Sequence, residues 1–451
     1  MELIRLVDPG AWTRIKRAQQ RLGVLQGAVS KQSTEKTKAV FGSPLTPVQA
    51  VSRILDDVRR DGDKAVFRYA RALDLFDLTP NNLRVTIQEI ASAAESVSPA
   101  FIEAAKAAIQ RVRRYQEHIK PPAPQPLDSD GAQLTMTYRP YRRVGIYVPG
   151  FSASLPSSVI MTVVPAQVAG VKEFALTTPP DAEGNISPAI LAVCSLLRID
   201  EVYRIGGAQA VAALAFGTES IPRVDKVAGP GNIFTTLAKR QVFGHCDIDI
   251  LAGPSEVLVI ADDSANPAFV AADLLSQAEH SPAVVFLVTD SEAFAEKVQR
   301  ELDRQLAALE RQHQAREVLD SYGVVVIAAS LPECASVANE VAPEHLQIQT
   351  ADDEAVLRMI EDAWAVFIGP YTPVAVGDYY AGPSHTLPTG GTARFFSGLS
   401  VLDFLRRSAT IRYDSATLRA HSHHIVELAN QEGLTAHAHS VKIRLNQEDA
   451  P

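Results

Sequence analysis

The hydrophobic positions of this chain fall into two regimes. Up to about Lys120, apolar residues recur at helical spacing. Val48, Val51, Ile54, Leu55 and Val58 share one side of a segment from Pro47 to Tyr69, which Asp61-Gly62-Asp63 interrupts. Ser98-Pro99 opens another predicted helix, with Ile102, Ala105, Ile109 and Val112 on one side. Pro121 to Gly131 is rich in proline and polar residues and reads as a linker.

The pattern then changes. Val144–Val148, Glu173–Thr178, Glu201–Ile205 and Lys226–Ala228 are short runs expected as strands. Helical segments lie between them at Ser157–Val168, Ser187–Leu197 and Ala208–Phe216. After Ile248 the alternation resumes, with strands expected at Val257–Ile260, Val284–Val288, Val324–Ile327, Leu346–Ile348 and Ala365–Ile368. Strands alternating with helices predict mostly parallel sheets covered on both faces. The expected class is α/β, with two Rossmann-like domains in succession, a helical N-terminal region and a small, largely helical tail from about Gly390.

Composition narrows the class. A chain of 451 residues suggests about three domains. Hydrophobic residues make up 46% and charged residues 21%, which suits a globular enzyme. A net charge of −9 argues against a nucleic-acid partner, which usually demands a basic face. Cys194, Cys246 and Cys334 have no CxxC spacing and read as small apolar fillers in a reduced compartment. No stretch is apolar enough to span a bilayer, and the first residues lack a signal-peptide core. A cytoplasmic enzyme with no membrane partner is the default.

Candidate chemistry sits in loops and at helix ends. Tyr147-Val148-Pro149-Gly150, Gly206-Gly207-Ala208-Gln209 and Gly229-Pro230-Gly231-Asn232 follow strands of the first α/β region. Open parallel sheets bind ligands at the carboxyl ends of their strands. None of the three is a GxGxxG fingerprint, so tight turns explain them equally well. The stretch Ala252 to His280 reads AGPSEVLVIADDSANPAFVAADLLSQAEH. Asn266-Pro267 caps its helix, and Gln277 and His280, at i and i+3, share one face near its end. On spacing alone that pair is a solvated helix face. Glu344-His345 lies just before a predicted strand and could be two loop residues. No HExxH or paired CxxC is present. His421, His423 and His424 share a predicted helix, but adjacent positions do not converge, so they and His439 read as surface histidines.

These segments taken together resemble histidinol dehydrogenase, over roughly Pro47 to Leu445. The resemblance implies two Rossmann-like domains, the second sheet built partly from earlier chain, in an aldehyde dehydrogenase-like architecture. It implies an N-terminal arm over 1–30 and a helical region over 31–140 contributing to the second α/β domain. An NAD-binding domain would then span 141–247, a catalytic domain 248–389, and a dimer-crossing domain 390–451. Tyr147, Gln209 and Asn232 match the family's positions for NAD. Phe151 departs from the family, where a second glycine often follows Pro-Gly. Gln277, His280, Asp378 and His437 match the ligands of one zinc per subunit; a neutral glutamine is an unusual and weak donor. His345 matches the base and Glu344 the residue that activates water. Ser255, His385 and Glu432 match substrate contacts, as do the zinc ligands and His345.

The implied reaction is L-histidinol plus two NAD, through histidinal, to L-histidine, ending histidine biosynthesis. It would run in a homodimer whose subunits share their sites. A paralogous dehydrogenase for another small polar alcohol is the nearest alternative; turnover of both alcohols separates them. A zinc hydrolase using Glu344 would work without NAD. A non-catalytic metal-binding dimer would not need Glu344-His345.

Overall fold

The computed structural model describes residues 1–21, 31–74, 76–150, 154–280 and 282–445. Phe151, singled out above, lies outside the described residues. The chain divides into two compact units, Met1–Ile119 with Tyr141–Phe404, and Lys120–Pro140 with Leu405–Pro451.

The larger unit holds two sheets, both entirely parallel. Its strands are β1 (Glu2–Arg5), then, after β2 (Leu127–Ser129) and β3 (Ala132–Pro140) of the smaller unit, β4 (Arg143–Tyr147), β5 (Glu173–Thr178), β6 (Val202–Arg204), β7 (Lys226–Ala228) and β8 (Asp247–Ile248). They continue with β9 (Ser255–Ala261), β10 (Ala283–Thr289), β11 (Gly323–Ile327), β12 (His345–Gln349) and β13 (Ala365–Ile368). One sheet runs β6-β5-β4-β7-β8 and the other β1-β11-β10-β9-β12-β13. The strand runs predicted from β4 to β13 all form, within a residue or two at their ends. β8 has only two residues and leaves no periodic signal.

The early chain departs from an all-helical reading. Glu2–Arg5 is a strand pairing with β11, from Glu2 opposite Val324 to Arg5 opposite Ile327. Earlier chain therefore enters the second sheet. The helix Pro47–Asp61 forms with a capping box, Thr46 and Gln49 satisfying each other's free N–H groups. Its apolar face joins the core of the first sheet, with Val51, Ile54, Leu55 and Val58 among Ala210, Val211 and Leu214. A core lies on each face of the second sheet. Alternate β9 residues feed them, Val257 and Val259 on one side and Leu258 and Ile260 on the other. Complete burial on both faces explains why β9 and β10 read as continuous apolar runs.

The smaller unit is an antiparallel sheet, β14 (Leu405–Arg412) then β3 then β2, with helices Ser415–Gln431 and Thr435–Leu445. The segment read as a linker contains β2, whose three residues are exposed. Exposure on both faces removes the apolar alternation that marks a strand. Among the described residues, no helix is long and apolar enough to cross a membrane.

Candidate active site

The first cluster lies at the carboxyl edge of the five-stranded sheet. The strand order places its reversal between β4 and β7. Tyr147 ends β4 and is 2% exposed; its Oη accepts from Gly207 N–H at 3.1 Å. Gly229, just past β7, has φ +118°, and a Cβ there would lie 2.1 Å from Tyr147 O. Only glycine allows that approach. Lys239 and Asp249, both buried and paired, hold this peptide from both sides: Gly229 N–H donates to Asp249 Oδ2 at 2.7 Å, and Lys239 Nζ donates to Gly229 O at 3.0 Å. Asn232 caps the helix Ile233–Val242, its Oδ1 accepting from the N–H groups of Phe234 and Thr235. Gln209 is fully buried in the helix Gly207–Phe216. Its Nε2 donates to Asp74 Oδ2 at 3.1 Å, while its Oε1 has no partner. Gly206 N–H also donates to Asp74 Oδ2. Burial raises the Asp74 pKa to about 6, against these two hydrogen bonds.

The second cluster lies at the amino edge of the six-stranded sheet, where β9 meets β12. Ser255 opens β9 and His345 opens β12, so His345 is a strand residue rather than part of a loop. His345 Nδ1 bonds to Glu256 O at 2.9 Å. A carbonyl can only accept, so Nδ1 carries a hydrogen. Nε2 has no hydrogen-bond partner and lies 3.7 Å from Asp378 Oδ1. Glu344 Oε2 lies 3.5 Å from Nδ1 and accepts from Glu256 N–H at 2.7 Å. Burial raises Glu344 to about 7, partly offset by His345. Burial alone would lower His345; the Glu344 and Asp378 carboxylates outweigh it and raise the imidazole to about 9.

Asp378 sits in the short helix Val374–Tyr379. Burial pushes its pKa up, but His345 and the neighbouring His385 and His280 win and leave it lowered. His385 bonds through Nδ1 to Asp378 O at 2.9 Å and through Nε2 to Ser158 Oγ at 3.2 Å. Burial lowers its pKa. Gln277 lies in the last turn of the helix Pro267–Ala278, buried, with Nε2 unpartnered. His280 is two residues past the end of that helix rather than within it; its N–H bonds to Gln277 O at 3.1 Å, which continues the turn.

Gln277, His280, Asp378 and His345 thus come from adjoining elements of one unit. Glu432 and His437 belong to the smaller unit, both exposed, at the end of one helix and the start of the next. Among the described residues, no group of three or more His, Cys, Asp or Glu side chains could hold a metal. The residue types of the expected donor set fit zinc, which takes nitrogen and oxygen donors, with Gln277 offering its amide oxygen.

Two hydrogen bonds join the clusters. Thr236 Oγ1, in the first turn of the helix Ile233–Val242, donates to Ala252 O at 2.8 Å, just before β9. Ser158, in the first turn of the helix after β4, meets His385. The carboxyl edge of one sheet therefore faces the amino edge of the other.

The sequence reading missed Glu256, Asp74 and the Lys239–Asp249 pair. Glu256 had a signal, a charge inside β9 directly before its apolar run Val257–Ala261; the others had none. His423 and His424 also differ from expectation, their rings lying 3.7 Å apart although adjacent in the helix.

A family model described as Histidinol dehydrogenase matches residues 44–445. A histidinol dehydrogenase from Rhodopirellula baltica is 47% identical over 416 residues, 92% of this chain and 90% of that protein. One from Bacillus thuringiensis is 46% identical over 405 residues, covering 90% and 94%. The crystal structure of histidinol dehydrogenase from Elizabethkingia anophelis aligns with a TM-score of 0.88 at 35% identity, covering 99% of this chain and 98% of that one.

Proposed function

This chain belongs to the histidinol dehydrogenase family of oxidoreductases, and from that premise we propose that it oxidises L-histidinol to L-histidine through histidinal, using two NAD and one zinc per subunit. The observation that carries the chemical reading is His345, held through Nδ1 while buried Nε2 stays unpartnered.

Nε2 of His345 takes the hydroxyl proton as hydride leaves the carbinol carbon. Glu344, raised toward neutrality by burial, activates water for the aldehyde-to-acid step. Gln277, His280, Asp378 and His437 would hold zinc, which would polarise and position the alcohol, and NAD would supply the hydride acceptor. Asp378 Oδ1 lies 3.7 Å from His345 Nε2, and a metal on this carboxylate would draw off part of its negative charge. With zinc bound, the weakened anionic field would let the imidazole move down toward the range where it works as a base. Ser255, His385 and Glu432 orient the substrate. Tyr147, Gln209 and Asn232, around a strand reversal lined by turns, contact NAD. One site for both oxidations limits escape of the aldehyde.

The test is NADH formation from histidinol by purified protein, with and without a chelator. Two NADH per histidinol, lost with the metal and restored by zinc, is the expected result; turnover without NAD would point to a hydrolase instead. A paralogous alcohol oxidised in preference to histidinol would move the substrate assignment.

We place the protein in the cytoplasm as a homodimer in which Glu432 and His437 complete the partner's site. His280→Ala and His437→Ala, refolded together, then recover up to about a quarter of wild-type activity, since about half the dimers are mixed and one of their two sites is intact. Confirmed mixed dimers without recovery would sink the shared site.

A further inference from the structure

Glu256, the second residue of β9, is 4% exposed and lies directly behind the Glu344–His345 pair. Its main chain grips both members: its N–H donates to Glu344 Oε2 at 2.7 Å and its carbonyl accepts from His345 Nδ1 at 2.9 Å. Its side chain reaches the other way. Oε1 accepts from Gly390 N–H at 2.9 Å, and Oε2 is buried without a partner. Close by, Gly253 N–H donates to Thr389 Oγ1 at 2.5 Å. The segment entering β9 is therefore stitched to the 389–390 turn at two points.

Two carboxyls share this enclosed place, and both ionising would be costly. The charged groups facing Glu256 are Glu344 and His345, and His345 is already engaged by Glu344 and Asp378. An anion with one partnerless buried oxygen would lack compensation there. We propose that Glu256 is a positioning residue for the proton-transfer pair, and that its carboxyl acts as the neutral acid, latching β9 to Gly390 so that its main chain holds Glu344 and His345 in register. Burial, with the Glu344 carboxylate beside it, raises the Glu256 pKa to about 8, in keeping with that form. The latch fixes the His345 tautomer indirectly, by fixing the carbonyl that receives Nδ1–H.

The inference rests on the reading of His345 and Glu344 as the reacting pair. Glu256→Gln keeps the shape and the acceptor for Gly390 without an ionisable proton, whereas Glu256→Ala removes the latch. Expected is near-normal kcat in Glu256→Gln and a fall of about tenfold to a hundredfold in Glu256→Ala, the effect of a small misplacement, with KM for NAD unchanged. Infrared difference spectra at pH 7 should show a protonated carboxylic-acid stretch in wild type that Glu256→Gln lacks. The absence of that band, or a Glu256→Gln enzyme as impaired as Glu256→Ala, would overturn the proposal. Should Glu256→Ala fail to fold, the band and the Glu256→Gln rate still decide. A normal rate in His345→Asn would strike the base assignment and leave the infrared test of Glu256 standing.

Discussion

The two parallel sheets of the larger unit share a strand order and use opposite edges. Leaving aside the added β1, both run third-second-first-fourth-fifth, with reversals between β4 and β7 and between β9 and β12. In the first sheet the candidate residues follow the strands: Tyr147, Gln209 and Asn232. In the second they precede them: Ser255 before the body of β9, Glu344 and His345 at the head of β12. Helices that return between parallel strands present N-termini to the carboxyl edge and C-termini to the amino edge. Free N–H groups and positive dipole ends favour phosphate, while free carbonyls and negative ends favour a cation. Gln277 and His280 sit where the helix Pro267–Ala278 ends. One fold pattern thus offers an anion-friendly edge and a cation-friendly edge, and bringing them face to face suits the dinucleotide and metal-held alcohol proposed for this site.

If that division holds, damage at the amino edge should stop chemistry without weakening NAD. The largest effect is expected from His345→Asn. Loss of the base should lower alcohol oxidation by about 10²–10⁴-fold. NAD affinity, read by nucleotide titration, should stay within about twofold, because the substitution touches no group of the first cluster. Near-normal turnover would remove His345 from the mechanism, and a matching loss of NAD affinity would break the contrast between edges.

Much of this arrangement was legible in the sequence. Full burial on both faces makes β9 and β10 continuous apolar runs, and Asn266-Pro267 and Ser187-Pro188 announce helix starts. The exposed strands β2 and β14 carry no such run, so their sequences resemble a linker and a tail. The amino-edge site was harder. Its groups are separated by over a hundred residues, from Ser255 to Asp378, with no spacing motif to tie them. Only the family resemblance gathered them; their closeness depends on the β9–β12 pairing that sets Val257 beside His345. The carboxyls of Asp74 and Glu256 make only isolated hydrogen bonds, to Gly206 and Gln209 and to Gly390, which leave no trace in composition or periodicity.

A smaller effect is expected from His280→Ala. Losing a candidate ligand should lower zinc content and activity together, on the order of tenfold or more. NAD binding should again be spared. Full zinc occupancy with normal activity would make the helix end a plain surface feature.

The smallest effect belongs to the carboxyl edge and runs the other way. Asp74 Oδ2 accepts from both Gly206 N–H and Gln209 Nε2, so it sets the turn and the amide proposed to meet NAD. Asp74→Ala leaves both donors unsatisfied in a buried place. That should raise KM for NAD about tenfold, with kcat and zinc content nearly unchanged. The pH dependence gives a sharper signature. Burial raises the Asp74 pKa to about 6, so the carboxylate is present at pH 7 and protonates as pH falls through 6. Wild-type KM for NAD should therefore rise on acidification through that range. Asp74→Asn should show a flat profile there, starting from a modestly raised value, because its amide oxygen can still accept at one side but cannot titrate. The linked stability has the opposite sense. A raised carboxyl pKa favours the folded state at low pH, an advantage lost as pH rises from about 4 through 6, so Asp74→Asn should compare best with wild type above pH 6. A KM that falls in parallel for both proteins on acidification would mean that another group controls the cofactor edge.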